Sequence, residues 1–420
     1  MSILIKNAII IFPGHEHHNT KKDILIKNGT IEKISSRITA SSTKVIESDN
    51  LHVSPGWLDI GATSGEPGYE HRESLESLSK TAAAGGYTSL AIFPNTQPVI
   101  DNKSTVNYIL GATSDHLVTY FPIGAISKGC SGEEITEMID MHRNGAVAFS
   151  DGHHSLASSG LMLRALDYAK SVNSLIIHHP ADTTLTNANQ VHEGKVSTEL
   201  GMKGNPSISE ILILDRDTQL TKYSESKMLA YNISTKASVD KVKGLAKEGL
   251  ASSVSYLNLC KTDEEIYEFD SNFKVVPPLR TEQDRQSLIS GVNKSIIPII
   301  TSNHFPLEEE AKKKEYSYAT PGAIGLQTCF SGMVTQAPEI SLERIVRCLA
   351  INTRKILELP AVELKAGEKA ELTIFDPSKS WTLDTNTNAS KSKNSPYWNQ
   401  EMKGMVVGVV NGKKQHWNKY

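Results

Sequence analysis

Eight short apolar runs recur between Pro55 and Leu359, each followed by a stretch with helical spacing. This alternation constrains the fold more than any other feature. The runs are Gly56–Ile60, Ser89–Phe93, Val118–Ile123, Ala146–Phe149, Ser174–Ile177, Leu229–Ile233, Leu250–Val254 and Ile296–Thr301. Continuous apolar runs alternating with helices read as parallel strands covered on both faces. Eight such units predict a (β/α)8 TIM barrel over residues 55–359, with a doubly wound sheet as the alternative. Both ends are different in texture. Residues 1–54 hold short β runs, with Asn28-Gly29 as a hairpin turn. Residues 360–420 hold two more, Gly367–Phe375 and Gly404–Val410, around a polar stretch, Ser378–Asn399, expected to be an exposed loop. The two ends together predict one small β-sandwich-like domain, 1–54 plus 360–420, beside the barrel.

Composition removes whole classes of function. Of 420 residues, 39% are hydrophobic and 22% charged, with a net charge of −3. That balance supports neither a nucleic acid nor an anionic membrane as partner. Cys130, Cys260, Cys329 and Cys348 form no C-x-x-C pair and read as reduced thiols. The start lacks a signal-peptide pattern, and no apolar run approaches the ~18 residues of a membrane span. A cytoplasmic chain is expected. No phosphate-cradling glycine motif occurs.

In a barrel, chemistry sits on the loops that leave the strand ends. Gly61, Thr63 and Gly65 follow the first run and supply no strong ligand. Asp151 follows the fourth, with His153 and His154 beside it. His178 and His179 follow the fifth, Asn232 the sixth, and Asn303 and His304 the eighth. Asp151 and one of His178 or His179, with His304 as a possible third, make a poor zinc site, since a catalytic zinc takes three protein ligands and water. The Glu308–Glu310 and Lys312–Lys314 runs predict a solvated surface helix of mixed charge.

The strings SPGWLDIGATSGEPGYEHRES, AAAGGYTSLAIFPNTQPVIDN, VHEGKVSTELGMKGNPSISE, ISTKASV, VVPPLRTEQDR and AIGLQT resemble dihydroorotases of the multifunctional-complex type. These are amidohydrolases with the same barrel and a small β domain made from both termini. The resemblance implies interconversion of dihydroorotate and carbamoyl-aspartate in pyrimidine biosynthesis, at a zinc site. Zinc polarises the amide and activates water, and an aspartate shuttles the proton. In this chain the H-x-H positions hold Gly61 and Thr63, and the carboxylate-gripping arginine position holds Gly65. The bridging aspartate matches Asp151. The next histidine matches His178, or His179 across a one-residue insertion. The following histidine is Asn232, and the catalytic aspartate is Asn303. A further histidine position is Leu307, and the asparagine before P-P-L-R is Val276. Asn95 matches a substrate contact.

The resemblance thus implies a kept scaffold around a dismantled site, with metal absent or weakly bound. One expectation is a non-catalytic homologue acting as a structural or regulatory partner, of aspartate carbamoyltransferase or of a second copy of itself. The alternative is an active cyclic amidohydrolase whose zinc site is rebuilt from Asp151, His153, His154, His178, His179 and His304. A third is a binding protein that keeps Asn95 for a ligand other than dihydroorotate.

Overall fold

The computed structural model describes residues 2–40, 43–186 and 191–419. All eight apolar runs form strands of one parallel sheet in chain order. They are Trp57–Ala62, Tyr87–Ile92, Thr119–Gly124, Ala148–Phe149, Leu175–His178, Met228–Ala230, Leu250–Ser255 and Ile299–Thr301. The predicted barrel is the observed fold. Alternate side chains point to opposite faces of each strand. Leu58, Ile60, Ala91, Ile123, Ala148, Ile177, Leu229 and Ile299 therefore share a cluster in the lumen. Trp57, Leu90, Ile92, Ile176, Met228, Val254 and Ile300 pack outward on the helices. Each buried side chain of this size contributes about 1.5–3 kcal/mol. The first and last strands are tied by a buried carboxylate. Asp59 accepts from the Ser302 amide at 2.7 Å and the Ser302 hydroxyl at 2.6 Å. Just beyond, the Thr63 amide donates to the His304 carbonyl at 2.9 Å.

The helices begin where their caps predict. Ser74 caps Leu75–Ala84 through a reciprocal pair with Ser77, and Ser158 caps Ser159–Ser171. Ile208–Ser224 stops at Glu225, which adopts the left-handed conformation.

A second sheet joins both ends of the chain. Ser2–Ile10 lies beside His52–Pro55, which pairs antiparallel with Glu371–Thr382, and Glu401–Asn411 and Lys414–Trp417 continue it. On the other side, Lys21–Lys27 and Thr30–Ser35 form the hairpin read from Asn28-Gly29, both of positive φ. Among the described residues, no helix is long and apolar enough to cross a membrane.

Two local expectations are corrected. Ser378–Asn399 is not an open loop. The strand runs on to Thr382, and the rest lies across the barrel mouth with Leu383, Ser395 and Tyr397 buried. Its polar residues serve as partners for the mouth loops: Ser390 donates to Glu73, Ser392 to the Arg72 carbonyl, and Asn394 to the carbonyls of Phe305 and Gly322. Nor is the lysine run wholly solvated. Only Glu309–Lys312 is helical, and Lys312 is buried. Its ammonium donates to the carbonyls of Thr320 and Gly322 at 3.0 Å.

Candidate functional site

The strand ends named by the sequence converge on one mouth, but their side chains do not converge on one point. Gly61, next to last in the first strand, has φ +90°. A Cβ there would lie 2.4 Å from the Tyr231 hydroxyl and 2.8 Å from the Phe93 ring, so no side chain fits without a shift. A Cβ at Gly65 would lie 2.3 Å from the Tyr69 carbonyl, which leaves no room for an arginine. Thr63 makes a 3.2 Å hydrogen bond to His153 Nε2. Asn232 is buried and accepts from the Thr301 hydroxyl at 2.7 Å. Asn303, with φ +48°, donates to the Val276 carbonyl at 2.9 Å. A carboxylate at 303 could not make that bond, because it has no proton to give. Leu307 is buried, and its amide donates to Asn394.

An aromatic group fills the space between these positions. Phe93 packs edge-on against Tyr231 at 4.9 Å and against His153 at 5.4 Å. His153 in turn meets Phe305 at 4.8 Å. Burial among these rings pulls the His153 pKa down to about 3, with help from His179 and His154. A plug of neutral rings thus occupies the mouth. Sequence reasoning missed Tyr231, Phe93 and Phe305, because an aromatic at a strand end reads as ordinary core.

The remaining candidate ligands are engaged elsewhere. Asp151 Oδ1 accepts from the amides of Ile126 and Ser127 at 2.8 and 2.9 Å, and its other oxygen accepts from the Ser127 hydroxyl. Burial raises its pKa, against the pull of those donors. His178 Nε2 accepts from the Leu156 amide at 2.8 Å, so its proton sits on Nδ1, which donates to Asp217 at 2.6 Å. His179 Nδ1 lies 3.3 Å from the Tyr231 carbonyl, and burial holds its pKa down to about 4. His154 is exposed. His304 Nδ1 accepts from the Gly325 amide at 3.1 Å, and its Nε2 faces Glu73 at 3.7 Å. Glu73 is a carboxylate that spacing alone did not connect to His304. Asn95 Nδ2 donates to the Asp151 carbonyl, and its Oδ1 would lie 1.7 Å from a Cβ at Gly152.

These residues do not fit a catalytic zinc. Among the described residues, no group of three His, Cys, Asp or Glu could hold a metal ion. The buried polar atoms left without a hydrogen bond at the mouth include Asn95 Oδ1, Asn232 Nδ2, Asn303 Oδ1 and His304 Nε2. Most are neutral amide atoms, whereas zinc takes thiolate, imidazole or carboxylate.

A second buried polar cluster lies nearby and is fully engaged. Glu210 accepts from the amides of Ser234 and Thr235 at 3.0 and 3.2 Å, and from the hydroxyls of Ser234, Thr235 and Ser238. Arg280 completes it, donating to Ser234 at 3.0 Å and to the Asn205 carbonyl at 2.8 Å.

Comparison with known proteins agrees with this architecture. A family model described as dihydro-orotase-like matches residues 52–238. A dihydroorotase of Caldanaerobacter subterraneus subsp. tengcongensis is 37% identical over 98% of this chain and 96% of its own length. One of Geobacter metallireducens is 36% identical over 99% of both chains. Among solved structures, an L-hydantoinase (dihydropyrimidinase) from Arthrobacter aurescens superimposes with a TM-score of 0.87. It covers 99% of this chain and 96% of that one at 22% identity, a likeness of fold. On the strength of its full-length relatives, the chain belongs to the dihydroorotase family.

Proposed function

We propose that this chain is a non-catalytic member of the dihydroorotase family. In this reading it serves pyrimidine biosynthesis in the cytoplasm as a structural or regulatory partner, of aspartate carbamoyltransferase or of a second copy of itself. One observation carries the reading: the Tyr231 ring stands where a side chain at Gly61 would have to go. A ligand lost to drift leaves a hole, whereas this position is filled by a well-packed aromatic. The family's H-x-H positions hold Gly61 and Thr63 and position 303 holds an asparagine, so these positions offer no imidazole for a metal that would activate water and no carboxylate to move the proton. The barrel framework and the terminal sheet are intact, which suits a role carried by surface and shape. Asp151 and His178, or His179 in its place, are then remnants of a metal site, and Asn95 a remnant of a substrate contact.

The test is elemental analysis and turnover together. The purified chain, loaded with zinc and desalted, is assayed in both directions with dihydroorotate and carbamoyl-aspartate. The expected result is less than stoichiometric zinc and no enzyme-like rate. One zinc per chain with turnover would establish the alternative, an active cyclic amidohydrolase with a rebuilt site. A specific feature favours that alternative: His153 and His179 lie close enough for the charge of one to depress the pKa of the other, and both are neutral imidazoles.

A further inference from the structure

A cavity of about 330 Å³ lies on the seam between the barrel and the terminal sheet, away from the mouth. Three parts of the chain wall it. Phe12 and Pro55 come from the amino-terminal part, Pro55 just ahead of the first barrel strand. Ile351 and Arg354 come from the last helical segment, and Leu359 and Val362 from the stretch that returns to the sheet. Phe12, Ile351 and Leu359 are only partly buried, so the apolar walls stay open to solvent. Phe12 is held in place by its stack on His15 at 5.1 Å. Residues Arg347–Ile351 form a π-turn, a wide helical turn frequent at functional sites, and it brings Ile351 to the wall. The volume and the apolar lining with a few polar groups are those of a small-molecule site.

Arg354 gives this apolar wall its chemistry. It is only 7% exposed. Its Nη2 donates to Ser89 at 3.1 Å and to Glu371, which uses both of that nitrogen's protons. Nη1 reaches only the Pro360 carbonyl, at 3.5 Å, and Nε is buried with no hydrogen bond. A guanidinium carries five N–H donors, so one on Nε and one on Nη1 are left without an acceptor. Positive charge is left over as well. Glu371 Oε1 also accepts from Thr88 at 2.9 Å, and Lys369 lies 3.8 Å from its other oxygen. Lys355 lines the cavity, is exposed, and makes no salt bridge among the described residues. No Asp or Glu is among the described residues that line the cavity. A buried cation with spare donors beside an apolar wall is matched by an anion that brings its own apolar body. We infer that the seam cavity binds a small aliphatic monocarboxylate, with its carboxylate on Arg354 and Lys355 and its chain along Phe12, Ile351 and Leu359. Such a ligand touches the sheet side through Phe12 and the barrel side through Arg354, and so ties one to the other. The site stands whether or not the mouth is catalytic.

The full chain is titrated with sodium octanoate in a calorimeter, beside octanol and inorganic phosphate. One octanoate per chain is expected, with octanol bound at least about 10-fold more weakly and phosphate not bound. Each methylene added between hexanoate and octanoate should tighten binding about 4-fold. Arg354→Gln should weaken octanoate binding about 10- to 100-fold, through loss of a charge-assisted hydrogen bond. If Arg354→Gln does not fold, Leu359→Trp decides, because it fills the cavity from a partly exposed position. Octanoate binding should then be lost while the circular dichroism spectrum is unchanged. Octanol binding as tightly as octanoate overturns the site, because the cations then play no part. Phosphate binding as tightly as octanoate overturns it too, because the apolar walls then play none. Octanoate binding that survives Leu359→Trp places the ligand elsewhere, and the absence of saturable binding removes it altogether.

Discussion

Two buried polar clusters sit at the same end of the barrel and have opposite characters. Around Glu210, the carboxylate is met by amides and hydroxyls of Ser234, Thr235 and Ser238, and Arg280 closes the set. Around Asn232 and Asn303, amide atoms stay without protein partners beside a plug of aromatic rings. A buried polar group without a partner costs about 1–3 kcal/mol, and a satisfied network repays its own desolvation. The first cluster therefore holds the fold together, whereas the second is tolerated by it. The same rim carries a satisfied network in one sector and unpaired amide atoms in another.

The contrast can be broken most directly at Glu210. Glu210→Ala leaves the amide and hydroxyl donors of Ser234, Thr235 and Ser238 buried without their acceptor and removes the negative charge beside buried Arg280, and should cost about 3–5 kcal/mol in urea unfolding. A loss below about 1 kcal/mol would erase the distinction between the clusters. Next in size is Gly61→His, which meets both a positive φ and the Tyr231 ring. It should cost about 2–4 kcal/mol and bind no zinc. Adding Tyr231→Ala to it should recover part of that loss if the ring is the obstacle. Third is the carboxylate that ties the first strand to the last. Burial raises the Asp59 pKa to about 7, despite the Ser302 donors that pull it down. A folded-state pKa above the unfolded one favours the folded state fully below about pH 4, and that contribution is lost as pH rises through about 7. Stability should therefore fall by on the order of 2 kcal/mol between pH 5 and 7 from this group, and Asp59→Asn should flatten the profile. The smallest effect belongs to the mouth amides. Asn95→Ala removes one hydrogen bond and one unpaired acceptor together, and should stay within about 1 kcal/mol of wild type.

Much of the framework was legible because it is periodic. Apolar runs, caps such as Ser74 and the Asn28-Gly29 turn each declare themselves within a few residues. The departures from the family pattern were legible too, since Gly61, Thr63, Gly65 and Asn303 stand inside strings whose neighbours keep it. What fills the site was not. Tyr231 reaches the Gly61 position across the barrel, and His178 is held by Asp217, which lies 39 residues further along. Ser390 meets Glu73 from the far end of the chain, which is why a polar stretch that looked like a solvated loop turned out to cover the mouth. Such partnerships follow from where a closed barrel brings its rims, and local spacing carries no trace of them.

The Tyr231 ring against Gly61 also bears on the history open to this chain. A histidine arriving at 61 while the tyrosine stands meets a collision, and a smaller residue arriving at 231 first leaves a void beneath Phe93. Either single step lowers stability before any metal can be bound. If the chain is the non-catalytic member proposed above, it sits behind a ratchet: stepwise substitution leads away from a histidine at 61 more easily than back to it.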